Sequence, residues 1–545
     1  MKCNKISSAD KKYICTNLII LFVMFFVSTI CTYVYEKGCL PRIDYGIWFC
    51  LVSIVLAYLV NLLWILAIKY NLKKRIRKVI LYDEKKSGNW KFFFLYLGIF
   101  LLIWGCSFLA YYPGITAYDC YEQICYVAEG EYSTHHPLLH TVFLGYSWKV
   151  GMLYFHSGTK GIAMATIVQI SIMSFAFSYV MMLLLQKGLK RWVTVLLSII
   201  AAVYPLNIYF CVSHTKDVLF SVFFFLVIVL ILEIEKEMPR KEKAIKALVL
   251  CIALTLTIML RNNGIYCAIA VLFLCIIKNI KTKKTITTFT ILCAIIIALT
   301  GQNIMQLKSE ASSGDAREMF SLPIQQVSRT LYYHEENIDP LLIENANLFF
   351  EDEAYQYYKP LLADPVKGKF NSEAVFKNPD VFIDLYLRLL KEYPEEYVVA
   401  TLLLYGGYWN LYDESIMYVY DNGDWLHTIW TYFPTWYLQG FDIQWESKLP
   451  ELKSVLEYIS TSEVLFDTPV LKTLFLPSTF FWSFILLCNY CINRKEKELY
   501  LPTLYIVVLY LTCFLGPCVL IRYAYPITLS LPYLILYLFC KNDKV

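Results

Sequence analysis

The stretch "DVLFSVFFFLVIVLILE" (217–233) sets one acid at each end of an unbroken apolar run. Its length is close to the roughly twenty apolar residues that cross a bilayer as a helix. Comparable runs lie near 13–34, 46–68, 92–111, 161–185, 192–210, 245–260, 264–278, 285–303, 470–492, 499–519 and 524–540. Within lipid every backbone polar group must be bonded inside the chain, and in apolar runs of this length a helix does that. The expected fold class is therefore an all-α polytopic membrane protein with about 12 transmembrane helices.

Composition agrees. Of 545 residues 58% are hydrophobic and only 17% charged, below the roughly 25% of soluble domains, and mean hydropathy is +0.51. The net charge of +5 is spread over alternate loops rather than one patch, which argues against nucleic acid as a partner. Most of the eighteen cysteines sit inside apolar runs, as at Cys50, Cys106, Cys251 and Cys293, where they act as small hydrophobes. Cys120 and Cys125 share one loop and could be oxidised there if it is extracellular. The run near 14–34 is too long for a signal peptide core, so it is expected to stay as the first span.

Basic residues set the expected orientation. Lys2, Lys5, Lys11 and Lys12 precede the first span, and Lys73, Lys74, Arg75, Arg77 and Lys78 follow the second. Lys187, Lys190 and Arg191 follow the fourth; Lys241, Lys243 and Lys246 follow the sixth. Lys281, Lys283 and Lys284 follow the eighth; Arg494, Lys495 and Lys497 follow the tenth. With twelve alternating spans all of these fall on one side, so both termini are expected in the cytoplasm.

Four divisions follow. Residues 1–90 hold an N-terminal pair of spans and a basic loop, and 91–303 a transmembrane core that includes an outer loop at 112–160. Residues 304–469 form an extracytoplasmic, mostly helical domain, with "PDVFIDLYLRLLKEY" (379–393) as one helix, and 470–545 hold the C-terminal spans. The apolar piece at 397–405 is too short to span unaided and is expected at the interface.

Ionisable groups beside a bilayer are costly, and such residues default to a functional reading. Three polar stretches fall at expected outer ends of spans: "YYPGITAYDCYEQI" (111–124), "HHPLLHT" (135–141) and "HTKDVLF" (214–220). On a helix restarting after Pro113–Gly114, Asp119, Glu122 and Gln123 share a face at i, i+3 and i+4. Partial burial would raise a carboxyl there toward the range of a general base. The bland alternative is a helix N-cap or a solvated acid. His136 and His140 share a helical face beside His135, a spacing able to hold a metal. Hydrogen bonding to substrate or to Asp119 is the more economical role for all three.

Lys216 and Asp217 open the run at 217–233, where Asp217 also suits a helix N-terminus. Arg261 and Asn262 in "RNNGIY", Gln325, Gln326 and Arg329 in "LPIQQVSR", and Arg522 and Tyr523 in "RYAYP" are expected on the same outer face. Arginine's fork suits a phosphate, whereas snorkelling at a membrane edge explains each arginine taken singly.

In this order the motifs resemble the GT-C superfamily of integral-membrane glycosyltransferases, and a bacterial branch of it, over most of residues 90–540. The carriers of the resemblance are Asp119 in "YYPGITAYDCYEQI", then "HHPLLHT", "YPLNIYFCVSHTKDVLF", "RNNG", "LPIQQVSR" and the late "RYAYP". It implies transfer of a sugar from a polyprenyl-phosphate donor to an acceptor outside a bacterial plasma membrane. Asp119 would be the general base, with Lys216, Arg261, Arg329 and Arg522 holding the leaving phosphate. Glu122, Gln123, His136 and His140 fall in the catalytic group, and His135, Asp217, Asn262, Gln325, Gln326 and Tyr523 among the substrate-binding residues. The second acidic motif of some superfamily members has only "EDE" (351–353) as a counterpart, so Mg or Mn stays open as a cofactor. The aromatic-rich 405–445 region could stack on sugar rings. Rival readings are a flippase for a lipid-linked glycan, a polysaccharide polymerase or ligase, and an assembly factor without catalysis.

Overall fold

The computed structural model describes residues 7–82, 90–116, 118–282, 285–312, 314, 316–412, 440–461 and 468–541. Much of the aromatic-rich 405–445 region, residues 413–439, lies outside them.

Helices follow one another along the chain: α1 (Ser8–Lys37), α2 (Ile43–Lys69), α3 (Leu72–Ile80), α4 (Trp90–Ala110), α5 (Tyr118–Glu129), α6 (Leu138–Phe155) and α7 (Gly158–Gln186). Next come α8 (Arg191–Val203), α9 (Pro205–Phe210), α10 (Lys216–Ile234), α11 (Arg240–Leu260), α12 (Asn263–Thr282) and α13 (Thr285–Ser309). Short helices fill the next stretch, among them α14 (Ser321–His334), α15 (Pro340–Asn347), α16 (Asp364–Lys367), α17 (Ser372–Lys377), α18 (Pro379–Glu392) and α19 (Pro394–Tyr405). The chain closes with α20 (Pro450–Thr461), α21 (Pro469–Thr473), α22 (Pro477–Asn493), α23 (Tyr500–Cys513) and α24 (Ile521–Cys540). Among the described residues extended pairing is limited to isolated bridges.

The protein is a multi-pass, all-helical membrane protein. Eight helices are long and apolar enough to cross: α1, α2, α4, α7, α10, α11, α13 and α24. The other four expected spans give shorter or broken helices, each for a local reason. Pro205 lacks an N–H and disfavours helical backbone at Tyr204, which sits at ψ 122° and separates α8 from α9. The run at 470–492 is likewise divided, with Pro469 opening α21 and Pro477 opening α22. In 499–519 the helix ends at Cys513, ahead of Gly516 and Pro517. The apolar part of α12 stops at Lys278.

The centre of the bundle is α10. Its spanning window is 89% buried, against 17% for α2, whose Ile43, Trp48 and Leu63 face outward as lipid-facing side chains do. Nearly every side chain from Val218 to Leu232 joins one apolar cluster with α7, α11, α23 and α24. Each end of α10 is polar. At one end stand Lys216 and Asp217; at the other Glu233 meets Lys187, Lys236 (2.7 Å) and Lys246 (3.6 Å), and Lys278 binds Glu235. At 1.5 Å per residue this helix is roughly 28 Å long, close to the thickness of the hydrocarbon core.

The region expected as an outer loop at 112–160 folds into α5 and α6, packed by glycines. A Cβ on Gly145 would fall 2.3 Å from Val127 of α5. Where α6 crosses α7, a Cβ on Gly161 would meet the Ser147 carbonyl at 2.5 Å and the Trp148 Cα at 2.7 Å. Because those obstacles are backbone, Gly161→Ala should cost about 1–3 kcal/mol of overpacking. Gly98 in α4 has open space around it, and Gly98→Ala should be neutral or gain up to about 1 kcal/mol from helix propensity. Thermal unfolding in detergent checks both; equal midpoints would contradict this account of the crossing.

Candidate active site

Two of the polar stretches are zipped together by backbone. Ile115 N donates to Val212 O (2.7 Å), and His214 N returns a bond to Ile115 O (2.9 Å). At φ 133°, Gly114 takes a conformation other residues rarely adopt, and a Cβ there would meet Thr166 Oγ1 at 2.3 Å and His214 Cε1 at 2.5 Å. From below, Gln169 Nε2 of α7 donates to the carbonyls of Phe210, Cys211 and Ser213 at 2.9–3.1 Å. These contacts set the first turn of α5 against the first turn of α10.

The result is a chain of charged groups. Lys216 Nζ lies 3.0 Å from Asp119 Oδ2 and also donates to His136 Nδ1 at 3.0 Å. An ammonium has donors only, so Nδ1 accepts and the ring proton sits on Nε2. That nitrogen donates to Glu122 Oε2 at 2.9 Å. Behind this chain lies a second, more buried group. Asp217, only 1% exposed, pairs with Arg261 through Oδ1 and with Arg522, whose Nε is 3.3 Å from Oδ2. Arg522 also reaches to 4.0 Å from Asp119, and the Tyr523 ring lies 4.5 Å beneath the Arg261 guanidinium.

Two histidines close the inner side. His140 Nδ1 bonds Gln123 Oε1 (2.9 Å), which in turn donates from Nε2 to Thr141 (3.3 Å). His214 Nε2 bonds Thr166 (2.8 Å). Both rings are fully buried, and His140 Nε2, His214 Nδ1 and Thr215 Oγ1 have no hydrogen-bond partner.

Electrostatics corrects one sequence expectation. Burial pushes the Asp119 carboxyl upward, but Lys216, Arg522 and His136 outweigh it and hold the group well below the ordinary carboxylate range. The resting site thus keeps Asp119 firmly ionised instead of raising it. The His136 hydrogen bond lowers Glu122 against a smaller desolvation effect. Burial drives His140 down to about 3 and His214 down to about 4, so both are neutral near pH 7.

Other expected residues stand apart. Gln325, Gln326 and Arg329 lie on α14 and tie together the region of short helices. Arg329 binds Glu396 (2.7 Å) and the Gly38 carbonyl (2.6 Å), capping the end of α1. Gln325 donates to Lys359 O, and Gln326 bonds Thr401 and Tyr386. Asn262 is exposed at the turn between α11 and α12. In the "EDE" string Glu351 meets Asn371 and Asp352 meets Lys369. Cys120 and Cys125 are not joined by a disulfide, and the Cys120 thiol donates to His214 O.

Glu122, His135 and His136 bring ligand atoms within 4.8 Å of one another, the group among the described residues best placed to hold an ion. The Lys216 contact argues against one: with Nδ1 accepting from Lys216, His136 presents a hydrogen, not a lone pair, on the side facing Glu122. We assign no ion to the group.

A family model described as "Family of unknown function (DUF6020)" matches residues 128–545. The chain belongs to the DUF6020 family. The match opens within α5, so the two His-bearing motifs, the start of α10, Arg261 and Arg522 lie inside the DUF6020 segment, while Asp119, Glu122 and Gln123 precede it. No curated protein and no solved structure matches the chain.

Sequence reading missed Thr166 and Gln169. The signal was there: a threonine and a glutamine at i, i+3 within a largely apolar span.

Two measurements test this arrangement. Asp217→Asn strands Arg261 and Arg522 in a buried place, and loss of one partner in such a group costs about 3–5 kcal/mol; the unfolding midpoint in detergent should fall accordingly. His140 and His214 titrate lower folded than unfolded, so the unfolded state binds more protons below the ordinary histidine range. Stability should therefore drop between pH 6.5 and about 4, by about 1.4 kcal/mol per pH unit for each ring. Denaturant unfolding at stepped pH reads the slope, which His140→Gln should roughly halve.

Proposed function

We propose that the protein is a glycosyltransferase of a bacterial plasma membrane that uses a polyprenyl-phosphate sugar and acts on an extracytoplasmic acceptor. The reading takes twelve spans with both termini in the cytoplasm, so that the Asp119 site faces outward. One observation carries it: a carboxylate in the first turn of α5, 20% exposed and held ionised in the resting site, directly beside two cations.

The chemistry uses that competition. A lipid-borne phosphate entering the site draws Arg522 toward its own oxygens and takes the third N–H of Lys216, whose other two stay on Asp119 and His136. Asp119 then loses part of the positive charge that suppresses its basicity at the moment an acceptor hydroxyl arrives. Lys216, Arg522 and, behind them, Arg261 stabilise the charge that develops on the leaving phosphate. The Asp217 carboxylate keeps the two arginines in place.

A flippase reading finds one favouring feature, the α8–α9 break at Tyr204, since broken helices mark transporter sites. Yet residues 204–211 carry no ionisable side chain other than Tyr and Cys.

Purified wild type and Asp119→Asn, given a panel of radiolabelled polyprenyl-phosphate sugars, separate these. Transfer by wild type with at least a 100-fold loss in the variant is expected of a base. Lipid binding without turnover in either protein, together with translocation in liposomes, would replace transferase by flippase.

A further inference from the structure

We propose that Lys216, His136 and Glu122 form a proton relay that carries the acceptor's proton from Asp119 to water. The proposal rests on the transferase reading for the origin of that proton. Its own basis is geometric. Four titratable side chains from α5, the segment before α6, and α10 stand in unbroken hydrogen-bond contact at 3.0, 3.0 and 2.9 Å. Exposure falls from Asp119 (20%) and Lys216 (17%) to His136 (3%) and then jumps to 52% at Glu122, which places the exit to water at the glutamate.

In the transfer step the anomeric carbon forms a bond to the acceptor oxygen, and its bond to the phosphate oxygen breaks with the electron pair leaving on phosphate. The hydroxyl proton passes to Asp119. Asp119 hands it to Lys216 Nζ as Nζ gives one of its own to His136 Nδ1, and His136 Nε2 gives its proton to Glu122 Oε2. Lys216 ends as it began, His136 ends protonated on Nδ1, and Glu122 releases one proton to water. Exchange with water, one proton taken up at Nε2 and one released from Nδ1, restores the Nε2–H form. Lys216, still bonded to Asp119, disfavours a proton there, whereas Glu122, half open to water, can release one.

The neighbours argue against a different exit. His140 and His214 are buried and neutral, and among the described residues His140 Nε2 and His214 Nδ1 have no hydrogen-bond partner to pass a proton to. The His135 ring meets His136 edge-on at 4.7 Å between centroids, while the bonds of Lys216 go to Asp119 and His136.

The test has two arms. With the best donor found, Glu122→Gln keeps the shape and an acceptor oxygen but cannot take a proton. It should lower kcat about 10- to 100-fold at unchanged KM, raise the solvent deuterium isotope effect, and leave Glu122→Asp largely active. Added formate should restore kcat to Glu122→Ala, because the site is half open to water. Wild-type kcat in Glu122→Gln, or an effect confined to KM, would overturn the relay. The second arm needs no turnover: ¹⁵N-histidine spectra of the free protein, with His136→Gln assigning the signal, should show His136 protonated on Nε2 and bare on Nδ1. The opposite tautomer overturns the relay whatever the reaction is. Absence of transfer in wild type with the expected tautomer would instead count against the transferase reading.

Discussion

A single buried carboxylate, Asp217, holds one end of the helical bundle together. It stands in the first turn of the most enclosed helix and ties to it two arginines from distant parts of the chain, Arg261 at the end of α11 and Arg522 at the start of α24. Buried ion groups of this kind contribute less to net stability than to fixing one arrangement over others, because desolvation offsets most of the attraction. Here the fixed arrangement is the position of Arg522, and through it the charge felt by Asp119. Apolar packing brings α10, α11 and α24 together, but it does not by itself set which turn faces which.

Much of this was legible in the chain. Apolar runs announced the helices, and polar residues at their ends announced Asp119, His136, Lys216, Asp217, Arg261 and Arg522, which the fold gathers into one place. Pairing was not legible. Nothing in the spacing of Lys216 says that it bridges Asp119 and His136, since that depends on how α5 and α6 fold back through their glycines. Arg329 shows the opposite failure. An arginine that caps the Gly38 carbonyl and one that could meet a phosphate look alike in a sequence, because both need a cation near a membrane edge. The break at Tyr204 was readable from Pro205, but hydropathy averaged over a window passes smoothly across it.

The raised carboxyl expected at Asp119 failed for a related reason. Burial alone lifts a carboxyl, and burial is what a position beside a span suggests. Three positive or polarised neighbours reverse the sign, and they come from residues about 20, 100 and 400 positions away in the chain. Long-range charge is the part of a site that local reading sees last.

The two polar layers of α10 are closer together than a membrane is thick. Asp217 and Glu233 are sixteen residues apart, or roughly 24 Å along the helix axis, against about 30 Å of hydrocarbon. Its neighbour α7, with 29 residues, is roughly 43 Å long. Two charged layers that close cannot both lie at the faces of a hydrocarbon slab of about 30 Å, so either the bilayer thins around α10 or one layer is reached from within it. A molecule anchored in the bilayer meets such a layer sideways, without leaving the lipid; one arriving from water must first shed its hydration shell.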